Sequence, residues 1–144
     1  MVMFEAEAPK RTIVIGLKRG DDLLASVKEA IREFGIRQGA VVSGIAALSQ
    51  ATFHKVTDFS LKAKNEFITI EAPIELSSLQ GTIIDSNPHI HMTFSDDKGN
   101  TFAGHLEPGS IVLYVGEIVL VEFDGGNMSR KPNEQGLMLI APAN

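Results

Sequence analysis

The apolar positions of this chain change their spacing twice. Thr12 to Leu17 (TIVIGL) form a short β-branched run, which predicts a strand after an extended N-terminal tail. Beyond Gly20, the residues Leu23, Leu24, Val27, Ala30, Ile31 and Phe34 recur at helical spacing, with Lys28, Glu29, Arg32 and Glu33 between them. Asp21 or Asp22 can open that helix, because a carboxylate accepts the free amide hydrogens of a first turn and suits its positive end. Gly35 closes it, as a residue that takes the left-handed conformation without steric cost. One long helix over about 22–34 is therefore expected. The rest returns to strand-like patterns at 39–48, 50–56, 66–71, 74–84, 88–95, 100–107, 110–123 and 136–140. Loops are expected at 57–64, 85–87, 96–99 and 124–135. This is an α+β chain, with a mostly antiparallel sheet or sandwich of about eight strands and one helix. It reads as a single domain over 1–144, with its core at about 12–141.

The segment PHIHMTFSDDKGNTFAGHLE, residues 88–107, carries the most chemistry. Strand alternation puts Ile90, Met92 and Phe94 on one face and His89, His91 and Thr93 on the other. A three-residue turn Asp97-Lys98-Gly99, with Gly99 in the left-handed position, pairs Asp96 with Asn100. Counting outward, Phe94 then meets Phe102, Met92 meets Gly104 and Ile90 meets Leu106. On the other face His91 lies opposite His105, and His89 opposite Glu107. A slip of one residue would mix the apolar and polar faces, so turn and pattern select the same register. Opposed β-carbons sit about 4.5–5.5 Å apart. The imidazoles of His89, His91 and His105 can thus converge on one ion at about 2.0–2.1 Å, the zinc–nitrogen distance, leaving a fourth position open. The same three rings could instead bind a small phosphate or carboxylate anion.

Composition narrows the chemistry. The 144 residues include no cysteine, so a disulfide scaffold, a thiolate metal site, a cysteine nucleophile and iron–sulfur ligation are excluded. Any tightly held metal must use nitrogen and oxygen. The formal charge of −5 lacks the basic footprint of a nucleic-acid binder. The longest apolar run, 111–123, is interrupted by Glu117 and Glu122 and is too short to span a bilayer as a helix. The first ten residues lack the pattern of a secretory signal, so a cytoplasmic protein is expected.

The stretch RGDDLLASVKEAIREFGIRQGAVVSGIAALSQA, the strand IELSSLQGTI, the segment PHIHMTFSDDKGNTFAGHL and the apolar strand containing Glu117 together resemble the PPC (plants and prokaryotes conserved) domain. The resemblance spans roughly 12–141. It implies a fold related to α-acetolactate decarboxylase, assembly as a homotrimer, and zinc held by a histidine cluster. The family's His-x-His matches His89 and His91, and its Gly-His-Leu matches Gly104-His105-Leu106. Ala103 stands where many members have a first glycine. Plant members bind AT-rich DNA through an AT-hook, a short Arg-Gly-Arg-Pro element. Here Arg19-Gly20 is followed by Asp21-Asp22, which repels phosphate.

Three further side chains are candidates. Glu117 lies in a strand apolar on both faces, so it is expected to be paired by Arg or Lys, or to act as an acid/base group beside the histidines. Glu107 could complete the metal site or assist catalysis. Arg130, in the polar loop, could bind an anion in a neighbouring subunit's cavity or simply be solvated. His54, alone on a weak strand, reads as a non-ligand. Three functions are compatible with these residues: a homotrimeric PPC protein with a three-histidine zinc or small-anion site, a metal-dependent lyase or hydrolase acting on a small oxo-acid, and a DNA-binding regulator.

Overall fold

The computed structural model describes residues 1–143. The chain order is β1 (Ala6–Lys18), α1 (Leu23–Phe34), β2 (Gln38–Val56), β3 (Asn65–Ile84), β4 (Asn87–Asp96), β5 (Thr101–Leu106), β6 (Ile111–Gly125), β7 (Met128–Pro132) and β8 (Met138–Pro142). The first six strands form one antiparallel sheet in the order β1-β6-β2-β3-β4-β5, and β7 and β8 form a separate hairpin. β5 also pairs with β2, so β2, β3, β4 and β5 close on themselves. The inside of that closure is the apolar core, with Phe53, Leu76, Leu79, Ile90, Met92, Phe94 and Leu106 almost wholly buried. Phe53 meets Phe94 edge-on at 5.4 Å, and Phe94 stacks on Phe102 at the same distance.

The helix forms where the pattern places it. Asp22 is its N-cap, accepting from the Ala25 amide at 2.8 Å, and Gly35 ends it with φ +63°. Leu23, Leu24, Val27, Ala30 and Ile31 are buried. Phe34 stays partly exposed, with the Arg11 guanidinium 5.6 Å from its ring centre.

The strands are longer and fewer than the sequence pattern divides them. Residues 39–48 and 50–56 are one strand, β2, with an irregularity at Leu48/Gln50 where its register shifts against both β3 and β6. Likewise 66–71 and 74–84 are the single strand β3. These breaks in alternation are bulges that let a long strand bend, not turns. Asp85 and Ser86 form a two-residue hairpin turn with φ +53° and +61°, so Asn87 belongs to β4 and not to a loop. The tail before Thr12 joins β1 from Ala6, opposite Gly125. The region 124–135 is not a continuous loop, because it contains β7.

Candidate metal centre

The β4–β5 hairpin has the register that turn and pattern select. Phe94 pairs with Phe102, Met92 with Gly104 and His91 with His105. Gly99 adopts φ +81°, and the Asp96 amide donates to the Asn100 carbonyl at 3.0 Å. His89, two residues along from His91, pairs with Thr82 of β3. All three imidazoles therefore stand outside the closed sheet, on the face away from the core.

Their geometry fits one ion. The Nε2 atoms of His89 and His91 lie 3.3 Å apart. Two nitrogens bound to a tetrahedral zinc at the usual bond length stand about 3.3–3.4 Å apart. The three ring centres are 5.3, 4.9 and 5.5 Å from one another, and the ring planes are inclined by 36°, 56° and 77°. Potential ligand atoms of His89, His91 and His105 all lie within 4.8 Å of one another.

The local electrostatics favour the neutral form of two of these rings, His89 and His105. Burial, then the charges of His54 and His89, push the His105 pKa down to about 4. Burial, followed by the nearby Arg130 charge, lowers His89. Neutral imidazole is the form that ligates a metal.

One expectation about Glu107 is corrected. It does not face His89. The β4–β5 ladder ends at His91 and His105, and the next residue, Leu106, pairs with Phe53 of β2. The Glu107 amide donates to Thr52 O at 3.0 Å, and its carboxylate meets His54 Nδ1 at 2.6 Å. His54 in turn pairs with His105 across β2–β5 and stacks on it, with ring centres 4.5 Å apart and planes 22° from parallel. His54, His105 and Glu107 also group their potential ligand atoms within 4.8 Å. Two rings stacked face to face cannot both aim a lone pair at one ion, since ligand lone pairs lie in the ring plane. His54 is therefore a wall of the site, braced by Glu107. The isolated position of His54 in the sequence hides this, because only the closure of β5 onto β2 brings it to His105.

Gly104 makes the closure possible. A β-carbon there would sit 2.6 Å from both His54 O and a Phe53 ring carbon. Any larger residue would push β5, and with it His105, away from β2.

Glu117 and Arg130 lie apart from each other. Glu117 is on the exposed face of β6, between Gly16 of β1 and Ile45 of β2. The buried carboxylate of that strand is Glu122, which is bonded to Arg11. Even-numbered residues from Gly116 to Glu122 face inward, a parity hidden by the strand's apolar composition on both sides. Arg130 reaches the histidine cavity of its own chain. Its Nη2 donates to Thr82 Oγ1 at 2.8 Å, beside His89. The cavity, of about 640 Å³, is lined by the three candidate ligands, His54, Arg130 and the apolar side chains of Val56, Leu137 and Met138, among others.

Residues 4–124 match the Plants and Prokaryotes Conserved (PCC) domain. The chain belongs to this family. The metal-containing protein of Archaeoglobus fulgidus is similar to it, with 29% identity and a TM-score of 0.81, covering 96% of this chain and 98% of that one. A plant- and prokaryote-conserved (PPC) protein of Pyrococcus horikoshii has 30% identity and a TM-score of 0.77, covering 96% of each chain. The PCC chain is also 29% identical over 123 residues to the bifunctional protein GlmU of a Synechococcus strain. It spans about a fifth of the length of that curated relative (19%) and of a second Synechococcus GlmU (17%). β7 and β8, and with them Arg130, fall outside the family match. Among the described residues, no helix is long and apolar enough to cross a membrane.

Proposed function

We propose that this PCC-domain chain is a cytoplasmic, zinc-binding protein that works as a homotrimer, with His89, His91 and His105 as the metal ligands. The observation that carries the reading is the convergence of three imidazoles, two of whose Nε2 atoms are already at the spacing a tetrahedral ion requires. The metal-containing relative from Archaeoglobus fulgidus, of nearly the same length and fold, supports it. Zinc fits a donor set of three nitrogens with no thiolate. When bound at such a site, zinc acts as a Lewis acid toward whatever occupies the fourth position. The protein's own residues do the rest. Arg130, held by Thr82, borders the cavity next to His89, His54 closes one side, and Glu107 holds His54 in place.

The homotrimer reading rests on the family and on the outer face of β1, β6 and β2. Val14 is 70% exposed, Val115 65% and Ile45 51%. A contiguous apolar face of this kind is costly to leave in water and marks an association surface. Glu117 lies within it.

Metal analysis of untagged protein tests the site. We expect about one zinc per chain in the wild type and none in His105→Ala. Wild-type protein that takes up no zinc when offered it would overturn the reading.

A further inference from the structure

We propose that the histidine cavity is a binding site for a small monocarboxylate with a short apolar tail, and that Arg130 of the β7–β8 hairpin is its specificity-determining residue. This deepens the metal reading and rests on it: the carboxylate is held by Arg130 at the open side of the three-histidine centre.

The charge of the cavity favours an anion. The residues lining the cavity include Arg130 and Lys55 but no aspartate or glutamate. Lys55 is paired with Glu66 at 3.4 Å. Among the described residues no carboxylate lies within ion-pair distance of Arg130, whose one hydrogen-bond partner is the neutral Thr82 hydroxyl. Glu107 is engaged by His54. A half-buried guanidinium with four N–H groups to spare, in a cavity without an acidic side chain, leaves an uncompensated positive charge there. An anion would satisfy it.

The cavity suits a carboxylate better than a phosphate. Phosphate sites draw on clusters of free backbone N–H groups in glycine-rich turns or at helix starts. The lining offers neither a glycine-rich turn nor a helix start: its residues come from strands and from the short segments at Ala63 and Leu137. What it offers is one guanidinium without an acidic partner, a single positive charge that balances a monoanionic carboxylate in a bidentate pair.

One side of the cavity suits an apolar tail. Val56, Leu137 and Met138 give the cavity an apolar side, and its volume of about 640 Å³ is in the range of small-molecule sites. Leu137 and Met138 come from the same C-terminal segment as Arg130. That segment is tied down at two places: Arg130 to Thr82 of β3, and the Met128 carbonyl, which accepts from Gln38 Nε2 at 2.8 Å in β2. The hairpin therefore adds both the charged and the apolar recognition element to a centre whose histidines belong to the PCC domain. It lies outside the residues that match the family.

The test uses full-length zinc-loaded protein and calorimetric titration with propionate, propionamide and methyl phosphate, with zinc content measured on every sample. We expect propionate to bind in preference to both other probes. Arg130→Gln should weaken propionate roughly 10- to 100-fold, the loss of a charge-assisted pair, with zinc content unchanged. Thr82→Val, which frees the guanidinium without removing it, should weaken propionate less. Equal propionate binding by wild type and Arg130→Gln, both loaded with zinc, would overturn the proposal and leave the metal reading intact. So would propionamide or methyl phosphate binding as tightly as propionate. Wild-type protein without zinc would overturn the metal reading itself, and this proposal with it.

Discussion

His54 and His105 stack face to face at 4.5 Å, although 50 intervening residues separate them along the chain. The contact exists because β5 leaves its hairpin partner β4 and adds to β2. It brings a fourth imidazole to the site while denying it the orientation of a ligand. His54→Ala should therefore retain one zinc per chain, with affinity reduced no more than about tenfold, in the range of losses from supporting residues. Loss of zinc stoichiometry in this variant, in a protein that still folds by circular dichroism, would contradict the assignment of His54 as a wall.

Glu107 should act through His54. Glu107→Gln keeps the shape of the side chain but removes the charge from a 2.6 Å contact. A hydrogen bond to a charged group contributes about 1.5–3 kcal/mol. Because both partners are partly solvated, we expect a loss near the lower end, measured by urea unfolding of metal-free protein. A variant as stable as wild type would show that the pair contributes nothing.

Gly104→Ala should be more damaging than its size implies. The added carbon meets a backbone oxygen and a packed ring carbon, both at 2.6 Å, and neither is the free end of a flexible side chain. Overpacking of this kind costs about 1–3 kcal/mol. Zinc affinity should fall together with stability, since His105 moves with β5. Unfolding curves and zinc titration of the same sample check both.

The pH dependence of metal-free protein follows from His105. Its folded pKa, about 4, lies below the unfolded value of about 6.5. Above pH 6.5 the ring is neutral in both states and has no effect on the equilibrium. As pH falls from 6.5 toward 4, the unfolded chain takes up a proton that the folded site resists, so stability declines across that window. Melting temperatures should drop by several degrees between pH 7 and pH 4.5, and His105→Gln should show a shallower drop. Identical slopes for the two proteins would contradict this origin.

The apolar outer face predicts the consequence of a charge there. Val115→Glu should convert a trimer to monomers by light scattering, because a carboxylate buried at an interface without a partner costs several kcal/mol. A wild type that runs as a monomer at micromolar concentration would remove the premise.

Much of this was legible in the pattern of residues. The helix was, because Asp22, the 3–4 spacing and Gly35 are all local signals. So was the register of β4 and β5, because a short turn and one apolar face constrain the same few residues. The long strands were not. The irregularity where Leu48 and Gln50 of β2 meet Ile74 and Glu71 of β3 interrupts alternation in both strands much as a turn does. Glu107 was misplaced, and the nearness of His54 to the site went unseen, for another reason. Extending the β4–β5 hairpin by two residues puts Glu107 opposite His89, but the sheet closes first, and a pairing between residues about 50 apart leaves no periodic trace. Arg130 could be picked out as a candidate, but not its position beside His89, which depends on a hairpin docking against β3.

Zinc stoichiometry tests the central claim most directly. Untagged wild-type protein, equilibrated with zinc and desalted, should carry about one ion per chain by mass spectrometry. An anomalous-scattering peak should lie within about 2.0–2.1 Å of nitrogens from His89, His91 and His105. Protein that emerges without zinc, or a peak ligated by other residues, would contradict it.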